Sequence, residues 1–237
     1  IELFVVLNTP QEIWDAAFDV MRSCGGQPAF YNPKVLLGGL KEKLNIADDD
    51  IKGFCGGGCT ESMIAGMSNV GSLDAGINLL LMFENVMYNY LPKATCFEDF
   101  YDKYIDEVQR VAENIMQKIS LSQEERAKFN PLPMRSFLID DCIDNKTEYN
   151  NGGARYKWSI INFAGLINVV DAMLTVKDFI FDSKSVDAYE FLNKLKDNDE
   201  EFLSKCRKTK LCFGTDEEYA NALVQKLSHD VFSILDN

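Results

Sequence analysis

The chain has 237 residues, and a hydrophobic content of 46% is enough to bury a core of its own, as one large domain or two small ones. A formal net charge of −13 repels a phosphate backbone and excludes nucleic acid as a partner. The longest apolar run, residues 77–83, is interrupted by Asn78 and ends before Glu84, so nothing approaches the roughly 20 residues of a membrane-spanning helix, and no membrane association is expected.

Residues 1–10 carry no basic segment ahead of an apolar one, so no signal peptide is read there. Without an initiator methionine, the sequence is expected to begin inside a longer protein. Thr9, Pro10 and Glu12 form the pattern of a capping box, predicting a helix to about Ser23 that Gly25 and Gly26 stop. The same box recurs at Thr95 with Glu98, Ser122 with Glu125, and Thr215 with Glu218, so one mechanism is expected to start four helices. Residues 27–32 (QPAFYN) predict a short strand with a helical pattern after it. Residues 72–90 are evenly apolar and predict one helix buried on more than one side. After Thr95, Phe100, Tyr104, Ile105, Val108, Val111, Ala112, Ile115, Met116 and Ile119 recur at three- and four-residue spacing, the mark of a long amphipathic helix. Residues 156–161 (YKWSII) predict a second strand, again followed by a helical pattern. This alternation indicates a helix-rich α/β fold with parallel units. The charged residues 193–205 read as a solvated helix face.

Seven cysteines, at 24, 55, 59, 96, 142, 206 and 212, are odd in number and scattered, which favours reduced thiols in a cytoplasmic protein. Two of them lie within the stretch GFCGGGCTE, residues 53–61, on either side of three glycines. Gly56, Gly57 and Gly58 allow a sharp turn and a close approach to another backbone or a substrate. Beyond them, Cys59 and Glu61 are two apart, so an extended backbone would aim thiol and carboxylate at one site. Three residues separate Cys55 from Cys59, there is no second cysteine pair, and the sole histidine, His229, falls in a C-terminal helix, so no metal site is expected. A Cys–His nucleophile would need His229, which reads as a surface or core-edge residue. A phosphate loop would end in Gly-Lys-Ser/Thr, whereas this one ends Gly-Cys-Thr-Glu. On the residues alone, a glycine turn with an incidental cysteine stays open beside a thiol–carboxylate site.

Residues 57–61 (GGCTE) and the segment that follows, 63–80, resemble the active-site cysteine loop of the glycyl radical enzymes, the pyruvate formate-lyase-like superfamily. Residues 149–181 resemble that family's Gly-Gly-Ala-Arg-Tyr strand and the helix after it, and residues 27–40 the strand and asparagine ahead of the cysteine loop. The resemblance covers the chain from about Gln27 onward. It implies an α/β fold, the helix-rich central portion (1–237) of a ten-stranded glycyl radical enzyme barrel. It further implies that Cys59 carries a thiyl radical and that Glu61 is the general base of an eliminating, dehydratase-like lyase acting on a small polar metabolite under anaerobic conditions. Pyruvate formate-lyase itself has two adjacent cysteines there. Here Gly58 and Thr60 flank Cys59, which disfavours acyl transfer and leaves Cys55 a structural role. The glycyl radical itself, installed by a radical S-adenosylmethionine activase, is expected from a C-terminal domain absent from these residues; no cofactor is expected to be bound by this chain. Expected partners are the substrate, the activase, the rest of the barrel or a second chain, and a second copy in a homodimer. A decarboxylase or C–C bond-forming member, a non-catalytic remnant and half of a split enzyme are the alternatives.

Overall fold

The structure, a computed structural model, describes residues 2–23, 28–57, 61–208, 212–215 and 217–236. In chain order its elements are β1 (Glu2–Phe4), α1 (Gln11–Arg22), β2 (Ala29–Tyr31), α2 (Pro33–Leu44), β3 (Phe54–Gly57), β4 (Glu61–Ile64) and β5 (Ser68–Asn78). They are followed by α3 (Leu79–Tyr90), α4 (Phe97–Phe129), α5 (Pro133–Ser136), α6 (Asp140–Asp144), β6 (Tyr156–Ala164), α7 (Leu166–Val176), α8 (Ala188–Lys196), α9 (Glu200–Arg207) and α10 (Glu218–Ser233). The chain forms two compact units, one of residues 1–74 with 122–160 and the other of 75–121 with 161–237.

The first unit begins with a parallel strand–helix–strand unit in which Leu3 lies opposite Phe30 in the β1–β2 pair. Trp14 and Phe18 of α1 lie against Phe30, with ring centroids 5.4 and 5.8 Å away. Asn32 caps α2 by accepting from the Lys34 N–H, and Pro33 opens its first turn. A hairpin of β3 and β4 follows, antiparallel, with Cys55 opposite Met63 and Gly57 opposite Glu61. Its outer end packs Ile64 with Leu40, Ile46 and Ile51 into a small core that Trp158 and Tyr156 cover. β5 then pairs with β6.

The second unit is built of helices around aromatic side chains. Phe83 of α3 meets Phe100 and Tyr104 of α4 edge-on at 5.6 and 5.7 Å, and Tyr104 donates its hydroxyl proton to the Leu79 carbonyl at 3.1 Å. Val169, Val170 and Met173 of α7 and Leu227 and Val231 of α10 are fully buried with them. Phe179, Phe191 and Phe202 form a second ring cluster, with centroids 5.3 to 6.3 Å apart.

Several expectations are corrected. Residues 72–90 are not one helix: β5 runs to Asn78, whose side chain accepts from the Leu81 N–H and starts α3 there. The capping boxes do not form as read. Thr9 Oγ1 accepts from the Val6 N–H behind it, and Pro10 caps α1 without a side-chain bond. Thr95 donates both its N–H and its hydroxyl proton to Asp99, one residue beyond the expected Glu98. Ser122 starts nothing, because no glycine or proline interrupts α4 before Pro131 and extending a helix costs less than nucleating one. Thr215 donates to the Cys212 carbonyl, and α10 begins behind Glu217. Residues 193–205 belong to two helices, α8 and α9, separated by Asn198 at φ +52° and capped anew by Asp199, and Phe202 is buried. His229 lies on α10 with an exposed side chain, 3.3 Å from the Asp230 carboxylate.

Candidate active site

The cysteine loop is framed by the hairpin. Glu61 is the first residue of β4, opposite Gly57, the last of β3. Gly58, Cys59 and Thr60 lie outside the described residues, so the expected common orientation of Cys59 and Glu61 is placed only at its carboxylate end. That end is buried, with Glu61 7% exposed, and its Oε1 accepts from the Ser72 hydroxyl at 2.6 Å. A bond this short is in the range of a hydroxyl donating to an ionised carboxylate. Cys55 is partly buried in β3.

The far end of the hairpin is closed by Ser68, whose Oγ accepts from the Ile64 N–H at 3.0 Å and donates to the Ile64 carbonyl at 2.9 Å. The turn between them holds Gly66 at φ +71°, and the Gly66 carbonyl accepts from the Asp140 N–H at the start of α6. Next along β5, the buried Asn69 donates from Nδ2 to the Tyr149 carbonyl at 2.9 Å. Asp74 accepts from Ser159 of β6 at 2.6 Å and from Arg126 of α4 at 2.9 Å, and Gln123 donates to Ser159 Oγ at 2.6 Å. Burial pushes the Asp74 carboxyl up, but the hydrogen bonds from Ser159 and Arg126 outweigh it and hold the group below the usual carboxylate range. The Asp74 side chain lies so close to Gly71 that a Cβ there would fall 1.9 Å from Oδ2. β5 is thus tied at Asn69 and Asp74, with Ser72 between.

The Asn-Gly-Gly-Ala-Arg-Tyr stretch forms a clamp. Gly152 takes φ +87°, which disfavours any side chain, and a Cβ on Gly153 would meet the Thr147 carbonyl oxygen at 2.2 Å and Cys142 Sγ at 2.6 Å. Arg155 grips Asp141 with two parallel bonds of 2.8 Å and reaches Asp50 at 2.9 Å. Tyr156 donates to the same Asp50 at 2.7 Å and accepts from the Ala47 N–H at 3.1 Å. Hydrogen bonds from Tyr156 and Arg155 hold the Asp50 carboxyl below its usual range, and Arg155 does the same for Asp141. The motif that resembles the family's strand therefore ties residues 47–50, 141 and 155–156 together.

Of the supporting residues, Ser72 and Asp74 are hidden by the helical reading of 72–90 and Arg126 by the expected new start at Ser122, while Asn69 and Ser159 have partners that spacing does not show. The readable signals were Gly71, Gly76 and the capping residue Asn78.

A family model described as pyruvate formate lyase-like matches residues 2–237. The chain belongs to the pyruvate formate lyase-like family of glycyl radical enzymes. It is 25% identical to trans-4-hydroxy-L-proline dehydratase of Clostridioides difficile, over 93% of this chain and 30% of that protein. To (2S)-3-sulfopropanediol dehydratase of Klebsiella oxytoca it is 23% identical, over 91% of this chain and 28% of that protein. Among solved structures, the glycerol-bound B12-independent glycerol dehydratase from Clostridium butyricum superposes with a TM-score of 0.83 at 20% identity, covering 98% of this chain and 31% of that one. Hydroxyproline dehydratase from Clostridioides difficile superposes with a TM-score of 0.81 at 22% identity, covering 98% and 31%. The fold is therefore a helix-rich portion of the glycyl radical enzyme α/β barrel, as the resemblance implied. The chain spans about 30% of the length of these curated relatives.

Proposed function

We propose that the protein to which this chain belongs is a glycyl radical lyase that eliminates a small leaving group from a small polar metabolite. The observation that carries the reading is the buried Glu61 carboxylate at the start of a strand, two residues after Cys59, in a chain whose relatives are named dehydratases and lyases. The family's glycyl radical supplies the hydrogen-abstracting equivalent. The Cys59 thiyl takes a hydrogen atom from a substrate carbon bearing a hydroxyl or an amine, becoming a thiol. Glu61 accepts a proton from that group, and electron density pushed onto the carbon expels the leaving group from its neighbour. In a dehydratase the leaving hydroxide takes that proton and departs as water. The product radical then recovers the hydrogen atom from Cys59, so the thiyl is regenerated and the net change is loss of water. A buried carboxylate suits the proton transfer, and a site closed to solvent protects the radical. A radical S-adenosylmethionine activase, a homodimer and an anaerobic cytoplasm complete the reading; among the described residues no helix is long and apolar enough to cross a membrane.

The test uses the full-length protein, activated anaerobically with such an activase until its radical is visible by electron paramagnetic resonance. It is offered trans-4-hydroxy-L-proline, glycerol, propane-1,2-diol, 3-sulfopropanediol and isethionate, with products followed by mass spectrometry. One substrate is expected to lose water or sulfite, and Cys59→Ser to abolish that loss while the radical still forms. A fully activated protein that consumes none of them, or a Cys59→Ser variant with undiminished turnover, overturns the proposal.

A further inference from the structure

We propose that Ser72 is a positioning residue for Glu61, fixing the rotation of the carboxylate and favouring its ionised form. The inference deepens the lyase reading and rests on Glu61 being its base. It begins from an asymmetry: Glu61 is buried and Ser72 exposed, yet the two side chains meet at 2.6 Å. An exposed serine can satisfy its hydroxyl with water. Its turn toward a buried carboxylate 11 positions earlier follows from how its strand is held. Three residues before it, Asn69 is bonded to the Tyr149 carbonyl; two residues after it, Asp74 is held by Ser159 and Arg126. Gly71 leaves the space that the Asp74 side chain needs in order to fold back. With both flanks fixed, Ser72 is delivered to Glu61 by the backbone, and little side-chain freedom remains to be lost on forming the bond. A hydroxyl donating to an ionised carboxylate makes a charge-assisted bond, stronger than the neutral bond it makes with the protonated acid, so the contact stabilises the anion over the acid.

The titratable groups on the strands around this bond are few. Cys55 is the only one on β3, and Asp74 the only other one on β5. β6, which pairs with β5, adds Tyr156, committed to Asp50, and the Lys157 ammonium. Asp74 carries its own cation in Arg126, and its carboxyl is held below the usual carboxylate range.

The experiment is infrared spectroscopy of the full-length, unactivated protein without substrate. The carboxylic acid C=O band of Glu61 is isolated by subtracting the spectrum of Glu61→Gln and followed against pH. Ser72→Ala is expected to move the midpoint upward by about one pH unit, the tenfold change in ionisation that one charge-assisted hydrogen bond gives. Ser72→Thr, which keeps the hydroxyl, is expected to restore it, and Ser72→Cys, a weak donor, to fall between. All three are expected to fold, with Ser72→Ala melting lower than the wild type at neutral pH because the buried carboxylate loses its donor, and Ser72→Thr melting like the wild type. An unmoved midpoint in Ser72→Ala overturns the proposal, as does a threonine variant that folds normally and titrates like alanine. Because no turnover is read, failure here leaves the lyase reading standing. Failure of the substrate panel, in turn, leaves this midpoint as it is.

Discussion

The two units of the chain bury different chemistry. In the unit of residues 75–121 and 161–237 the buried side chains are apolar or aromatic, and the most enclosed of them, Phe100, Tyr104, Val108 and Leu227, are completely shielded. In the other unit, Glu61, Ser68 and Asn69 are buried within nine positions of sequence, each with a hydrogen-bond partner. Burying polar groups is tolerated when they are bonded, and it is costly as soon as one partner is lost. The helical unit should therefore respond to volume, and the hairpin unit to the loss of single polar atoms or to the gain of single carbons.

The largest effect expected on stability tests the first half of that contrast. Phe100→Ala removes a ring packed edge-on against Phe83 at full burial. It should cost about 3–5 kcal/mol, read as a shift in the denaturant midpoint of the full-length protein at unchanged slope. Phe100→Leu should recover most of the loss, because volume is what the site demands.

Gly153→Ala should come next. One methyl group would have to sit 2.2 Å from the Thr147 carbonyl oxygen and 2.9 Å from that of Glu148, and neither backbone atom can rotate away. A cost of about 2–3 kcal/mol is expected, by the same midpoint measurement. Its neighbour sharpens the point. At Gly152 an added Cβ meets nothing within 4 Å, and only the φ of +87° opposes it, so Gly152→Ala should cost about 1–2 kcal/mol and Gly152→Asn less.

Asp74→Ala leaves Ser159 and Arg126 without their shared acceptor and should cost about 1–3 kcal/mol at neutral pH. The pH dependence separates charge from packing. The folded carboxyl titrates below its usual range, so its contribution is complete above the unfolded value of about 3.9 and disappears as pH falls through the lower, folded value. Wild type should therefore lose stability between pH 4 and the acid limit more steeply than Asp74→Asn, in thermal melts run at matched ionic strength. Equal slopes would remove Asp74 from the electrostatics of this unit.

How much of this was legible follows the same division. The long helix α4 was read correctly from Phe100 to Ile119, because a 3.6-residue apolar period survives any context in which one face is buried. The strand at 156–161 and the Cys–x–Glu signature were also readable, the latter as chemistry. What failed was local: hydroxyls at Thr9 and Thr215 were expected to bond forward into their helices and instead bond backwards into the preceding turn. Short polar side chains have several backbone partners within reach, and spacing alone does not choose among them. The serine that holds Glu61 was unreadable for a different reason. Its partner lies 11 positions away on another strand, and its own segment runs into an apolar stretch that suits a buried strand or a helix equally well.

Asn78 decides between those two states, and the smallest predicted effect tests how. Its side chain accepts from the Leu81 N–H, so the helix begins at Leu79 and the residues before it remain in β5. Asn78→Ala should cost about 1 kcal/mol, the worth of one cap. Asn78→Asp should cost little, since a carboxylate accepts the same bond and lies at the positive end of the helix. Alanine is also a good helix former, so it lowers the barrier to extending α3 backwards into Gly76 and Ile77. Hydrogen exchange on the full-length protein can distinguish these outcomes. Lost protection confined to Leu79–Leu81 means the cap alone was removed, whereas altered protection reaching back through β5 means that Asn78 also marks where the strand stops.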